Sequence, residues 1–286
     1  MARKFNIALS SRLSPFQKFY LLIIAGFILG PFIPLIIQSF AFHWAWPDLL
    51  PGTWWLEQRD RAMVPLAWDY VLSPYSRVWE ATVNTVLIGS IVTVICLAIC
   101  LPAARVLARE KFRGKSAFEF FLSLPLIVPE AAIGIALLMM FIRLGLAGSY
   151  VGIIIAHLIP TIPYMVRMLT AVYQGLGRDF EEQAMILGAS RWQVLRLVTL
   201  PMLLPGVVAG ALFTFLVSTN IFLLTFFLGQ GQIVTLPTLL FSKIAGGTLD
   251  ASAAGITLIV TLPGIILLII SERFIKEEAF GKGFGN

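Results

Sequence analysis

Apolar stretches of about 20 residues recur along this chain, and at about 1.5 Å rise per residue each is long enough, as a helix, to cross a hydrocarbon core of about 30 Å. A lone strand in lipid would leave its backbone N–H and C=O groups unpaired, so these stretches read as helices. The composition agrees: of 286 residues 58% are hydrophobic and only 13% are charged, with a mean hydropathy of +0.90. The pattern predicts spans over residues 19–40, 83–107, 118–141, 150–172, 205–228 and 252–271, about six in all. The apolar core of the first is longer than the roughly 7 to 15 residues of a signal peptide. Gly30, Pro31 and Pro34 suit a kinked spanning helix there.

Orientation follows from the basic residues. Arg3, Lys4, Arg12 and Lys18 precede the first span, and Arg105, Arg109, Lys111, Arg113 and Lys115 surround the exit of the second. The first long connection instead sets Arg59, Arg61 and Arg77 against Asp48, Glu57, Asp60, Asp69 and Glu80. Positive charge gathers on the cytoplasmic side, which places both termini and the second and fourth connections there. The predicted organisation is a cytoplasmic tail over 1–18, a first helix over 19–40 and a periplasmic, Trp-rich loop over 41–82. A core membrane domain over 83–271 and a cytoplasmic tail over 272–286 complete it.

A net charge of +6 does not indicate nucleic acid, because the basic residues are spread between the apolar runs rather than gathered with aromatics in one patch. Cys96 and Cys100 lie at i, i+4 inside one span with no other metal-ligand types nearby, which favours packing over metal or redox chemistry. Gly114-Lys115-Ser116 has the ending of a phosphate-binding loop, but the required earlier glycine position is Arg109. No hydrolase motif occurs either. The 41–82 loop holds Trp44, Trp46, Trp54, Trp55, Trp68 and Trp79. Indoles suit an interfacial belt, and they also suit a docking surface for an external protein.

The connection from about Tyr173 to Leu204 reads as two short helices meeting at a break. Asp179 is the expected N-cap, Glu181 and Glu182 sit favourably in the first turn, and Gly188 ends the first helix. Ser190 is the expected cap of the second, which Pro201 and Pro205 are expected to stop.

Phe180-Glu-Glu-Gln-Ala-Met-Ile-Leu-Gly-Ala-Ser190, followed by Leu200-Pro-Met-Leu-Leu-Pro205, resembles the EAA loop of binding-protein-dependent ABC transporter permeases. Glu182, Ala184, Leu187, Gly188, Ala189, Leu200 and Pro201 fit the pattern, and Gln183 stands where the family usually has Ala. Ser123-Leu-Pro-Leu-Ile-Val-Pro-Glu130, Ala156-His157 and Ile162-Pro163-Tyr164 resemble the spermidine/putrescine-type branch. That branch carries Ser-x-Asp-Asp-Phe in its fifth span, whereas this chain has Ser218-Thr-Asn-Ile-Phe222 and lacks the acidic pair.

The resemblance implies an all-α polytopic bacterial inner-membrane protein with the type I importer permease fold and a cytoplasmic EAA coupling helix within 174–204. It implies a non-catalytic subunit that binds no cofactor. ATP and Mg would sit on a separate ATPase dimer docked at Glu181, Glu182, Ala184, Leu187, Gly188 and Ala189. A second permease, sibling or identical, and a periplasmic solute-binding protein would complete the assembly in lipid. An ion-gradient-driven secondary carrier is the alternative.

Candidate pathway residues are Glu130, His157, Ser218 and Asn220. A charge within a span costs about 2.5 to 3.5 kcal/mol, so Glu130 serves either the solute path or the amides freed by Pro125 and Pro129. His157 has no second ligand at metal spacing, and the residue type in that setting favours a satisfied core histidine over a pathway role. Ser218 and Asn220 line a path or bond neighbouring helices.

Overall fold

The computed structural model describes residues 14–44, 47–58, 60, 65–247 and 250–281, and of 268 and 270–281 the backbone only. Arg3, Lys4 and Arg12 of the tail, Trp46, Arg59 and Arg61 of the first loop, and residues 282–286 lie outside the described residues. The chain divides into two compact units at 71/72, with 249–258 joining the first.

In the first unit, α1 (Pro15–Leu29) starts on a capping box in which Ser14 Oγ accepts from Gln17 N at 3.2 Å and Gln17 Oε1 from Ser14 N at 2.9 Å. It continues through Gly30 and Pro31 into α2 (Phe32–Phe40), and the pair forms one apolar run long enough to span a bilayer. No residue of α1 is buried, as expected of a helix whose solvent is lipid. The connection that follows is partly folded. β1 (Ala41–His43) and β2 (Thr53–Trp54) pair antiparallel, a small departure from the all-helical expectation, and α3 (Trp55–Gln58) and α4 (Ala67–Leu72) follow. Trp55 and Trp68 pack on Phe40 with ring centroids 6.3 and 6.0 Å away, and Trp55 Nε1 donates to Asp69 Oδ2 at 3.2 Å. These two indoles form a small core, whereas Trp79 is 81% exposed.

The second unit is built on α5 (Val78–Arg109), which begins five residues earlier than the spacing predicts. Its buried Ile88, Val92, Cys96, Cys100 and Ala104 recur every fourth residue, so they form one stripe along the helix. Cys96 Sγ lies 3.2 Å from Thr161 Oγ1 and both thiols sit in the apolar core, which supports the packing role.

The expected span over 118–141 is two elements, α6 (Lys115–Ser123) and α7 (Glu130–Leu144), bent by 92° at the break that Pro125 and Pro129 lead one to expect. Pro125 and Pro129 each remove an N–H donor; Leu124 keeps helical angles and opens a single 3₁₀ turn, Leu124–Leu126, while the ring of Pro129 disfavours helical geometry at Val128. α8 (Tyr150–Gly175) is capped by Ser149, whose Oγ accepts from Gly152 N at 3.1 Å.

α9 (Asp179–Ile186) and α10 (Arg191–Val194) follow, and α10 does not stop at the prolines. One π turn, Leu195–Thr199, joins it to α11 (Leu200–Asn220), with Leu200 N donating to Leu195 O. The extra residue in that turn moves aside the carbonyl that the Pro201 ring would meet in a regular helix. A continuous apolar helix over Arg191–Asn220 results, so the predicted span over 205–228 begins earlier and breaks at Ile221. α12 (Leu223–Gly229), α13 (Leu236–Ala245) and α14 (Ala251–Gly281) complete the chain.

α5, α8 and α11 pack on one another, with α12 against α7 and α8. Close approach depends on small residues: a Cβ on Gly206 of α11 would lie 2.3 Å from Val172 Cγ2 of α8.

Candidate functional site

The α9–α10 segment is a helix–turn–helix whose turn is made by local chemistry. Gly188 takes φ +89, the left-handed conformation that an L side chain resists. Its N–H donates to Met185 O and that of Ala189 to Ala184 O, both at 3.0 Å, which satisfies carbonyls at the end of α9. Ser190 then caps α10 in a capping box with Gln193. Arg178, not Asp179, occupies the N-cap position of α9, and no side chain bonds the cap. Asp179, Glu181 and Glu182 all fall in the first turn, where the helix dipole favours their charge.

The two adjacent glutamates have different surroundings. Glu181 is 13% exposed in its side chain: its Oε2 lies 3.3 Å from Arg105 Nη2 and its Oε1 accepts from Thr199 Oγ1 at 2.8 Å. Three elements thus converge on one carboxylate, namely the end of α5, α9 and the π turn. Arg105 is 43% exposed, so the ion pair is worth about 0–1 kcal/mol, and the charge-assisted hydroxyl bond of about 1.5–3 kcal/mol is the larger contribution. Glu182 is exposed and has no side-chain hydrogen bond or ion pair among the described residues. Around it the segment presents bare apolar side chains, with Ile186 84%, Leu187 87% and Trp192 66% exposed. Ala184 and Ala189 are half-buried behind them.

The candidate pathway residues do not assemble into one site. His157 and Ser218 come together in the core, where His157 Nδ1 lies 3.0 Å from Ser218 Oγ and Nε2 lies 2.8 Å from Thr225 Oγ1. The imidazole thereby ties α8 to α11 and α12 across the break at Ile221, and it is 1% exposed. Glu130 opens α7, and its Oε1 is buried without a hydrogen-bond partner, so that oxygen caps none of the amides freed by the prolines. Asn220 is exposed at the end of α11, where its Nδ2 donates to Leu216 O at 2.8 Å. No group of three or more His, Cys, Asp or Glu side chains able to hold a metal occurs among the described residues.

Sequence reasoning missed Arg105, Thr199 and Thr225, because each looks ordinary until the partner arrives from another helix. It also missed Asn84, which accepts from Tyr150 Oη and donates to Val234 O, both at 2.8 Å. Arg167, which donates to Ser123 Oγ at 2.7 Å, lines a cavity of about 320 Å³ between α6 and α8 and was not singled out either.

The described residues thus form an apolar, polytopic helical core that carries a helix–turn–helix with an exposed apolar tip, the architecture of a multi-pass membrane protein. Residues 100–277 match the family described as binding-protein-dependent transport system inner membrane component, and the chain belongs to that family. It is 33% identical over 224 residues to the molybdenum transport system permease protein ModB of Mycobacterium tuberculosis, covering 73% of this chain and 84% of that one. It is 29% identical over 278 residues to the putrescine transport system permease protein PotI of Escherichia coli, covering 93% and 92% respectively. Among solved structures, it superposes with a TM-score of 0.69 at 19% identity on a bacterial ABC transporter involved in the import of the acidic polysaccharide alginate, covering 90% of this chain and 94% of that one.

The chain is therefore the permease subunit of an ABC importer, a multi-pass component of the inner membrane. Permeases of this family work with a binding protein and with an ATPase in which nucleotide hydrolysis resides, so this subunit is not the catalytic one. Membership leaves the ion-gradient carrier reading without support.

Proposed function

We propose that the α9–α10 segment is the element on which the ATPase acts, with Glu182, Leu187 and Gly188 at the contact and Ala184 and Ala189 allowing close approach. The observation that carries this is the pairing of a rigid base with a bare tip: Glu181 is held by two other elements while Ile186 and Leu187 are almost fully exposed. A floppy loop would absorb a push. Moving a two-state pore from 1:99 to 99:1 takes about 5.5 kcal/mol of differential interaction, which only a stiff connection passes on. Glu181 then acts as an internal brace rather than as a contact residue.

In this reading both termini and the α9–α10 segment are cytoplasmic, in keeping with the basic residues around Arg105 to Lys115. Two ATPase subunits carrying ATP and Mg serve this chain and a second permease, and a periplasmic binding protein delivers solute to the outer loops. Among the pathway candidates, Glu130 and the exposed Asn220 fit a place along the solute route. The burial of His157 and Ser218 supports a packing role for that pair. With no acidic pair over 218–222, and with Arg167 beside a cavity, the solute is anionic or zwitterionic rather than a polyamine.

The test is solute-stimulated ATP hydrolysis by the complete importer in lipid, comparing wild type with Glu182→Ala and Gly188→Leu. Both variants are expected to lose ATPase association or stimulation. Full coupling in both would sink the proposal.

A further inference from the structure

Between the end of α5 and the α9–α10 segment lies a cleft of about 490 Å³ whose lining includes four arginines, Arg105, Arg109, Arg178 and Arg191. The contribution from around α9 is Arg178, Glu181, Glu182 and Met185, spaced i, i+3, i+4, i+7, so the cleft occupies a single helical face. Ile186 and Leu187 are not part of it.

The charges in the cleft are unevenly used. Glu181 is committed to Arg105 and Thr199. Arg178 donates to the backbone carbonyl of Arg109, which neutralises nothing. Arg109 Nε is buried with no acceptor. Among the described residues Arg109, Arg178 and Arg191 make no ion pair, and the two remaining carboxylates of the wall, Glu110 and Glu182, are both exposed to screening water. Three arginines lining one cavity repel one another, and a tetrahedral oxyanion supplies the several acceptors that their planar forks match. The rest of the wall includes Val106, Met185 and Val194, which suit an apolar neighbour to that anion.

We propose that this cleft holds a phosphate group. The headgroup of an anionic phospholipid is the source its position favours, because α5 delivers the cleft at the end of a 32-residue membrane helix. A phosphate there bridges Arg109 of α5 to Arg178 and Arg191 and ties the α9–α10 segment to the membrane core. The site does not rest on what docks at Ile186 and Leu187.

The full chain in a neutral detergent is titrated with phosphatidylglycerol and phosphatidylcholine by native mass spectrometry, and with inorganic phosphate by calorimetry. Wild type is expected to hold phosphatidylglycerol at least about ten-fold more tightly than phosphatidylcholine, whose choline cation meets the same guanidiniums. The triple variant Arg109→Gln/Arg178→Gln/Arg191→Gln loses that preference, while the loop control Lys111→Gln/Arg113→Gln keeps it within about two-fold. Arg191→Gln alone, at an exposed position, is the second variant should the triple one not fold, and is expected to weaken the preference about three-fold. Arginine-dependent binding of inorganic phosphate without a lipid preference keeps the phosphate site and overturns its lipid source. No phosphate or phosphatidylglycerol binding by wild type, or equal losses in the loop control, overturns the proposal.

Discussion

Thr199 donates its hydroxyl to Glu181 at 2.8 Å across 18 positions of sequence, and the two residues thereby join the π turn at the base of α11 to the first turn of α9. Arg105 reaches the other carboxylate oxygen from α5. The proposed coupling segment is thus held at its base by one side chain with two partners on two helices.

Replacing Glu181 tests that brace. Glu181→Gln keeps an acceptor for Thr199 and loses the charge facing Arg105, so solute-stimulated ATP hydrolysis is expected to fall about two- to five-fold. Glu181→Ala loses both interactions and should cost about ten-fold, in line with about 1.5 kcal/mol for a charge-assisted bond. Thr199→Val should resemble the alanine variant, and Thr199→Ser should restore coupling. Wild-type turnover in Glu181→Ala would show that the brace has no part in transmission.

Gly188 is expected to grade its replacements by their tolerance of positive φ. The left-handed conformation costs an ordinary L residue about 1–2 kcal/mol, less for Asn and more for a β-branched side chain. ATPase retention on affinity resin should therefore fall in the order Gly188, Gly188→Asn, Gly188→Ala, Gly188→Val. No space limits the substitution, since a Cβ at Gly188 meets nothing within 4 Å, so a ranking by side-chain volume alone would contradict the conformational account.

His157 separates packing from transport. In His157→Phe the Ser218 and Thr225 hydroxyls lose their shared partner inside the core, at about 1–3 kcal/mol for each group left unsatisfied. Thr225 still reaches Ile221 O at 3.3 Å, so the loss falls mostly on Ser218. The melting temperature in detergent should drop by several degrees, and adding Ser218→Ala should recover part of it. A transport defect with an unchanged melting temperature would instead assign His157 to the solute route.

At the α8–α11 contact, Gly206→Val should lower both yield and melting temperature, because its Cβ would be placed 2.3 Å from Val172 Cγ2. Val172→Ala in the same chain should recover much of the loss, and a double-mutant cycle should give about 1–3 kcal/mol of coupling. Independent, additive effects would mean that the two helices do not approach through this pair.

The sequence by itself determined what depends on neighbours along the chain. Span hydropathy, the Ser190 cap and the Gly188 turn follow from the bilayer's demand for satisfied backbone groups and from short-range sterics, so they were legible before any fold was known. The family pattern from Glu182 to Pro201 was legible for the same reason, as a local motif. The α6–α7 break was foreshadowed by Pro125 and Pro129, but its 92° angle was not.

Only the tertiary structure decided which of two adjacent glutamates is braced and which is bare, that His157 is satisfied by Ser218 and Thr225, and that Pro201 is accommodated by a π turn instead of ending a helix. It also decided that Arg109, Arg178 and Arg191 share one cleft. Each of these depends on a partner from a different helix. A charged or hydroxyl side chain costs energy in a membrane core until such a partner arrives, and one-dimensional spacing carries no record of which helices will meet.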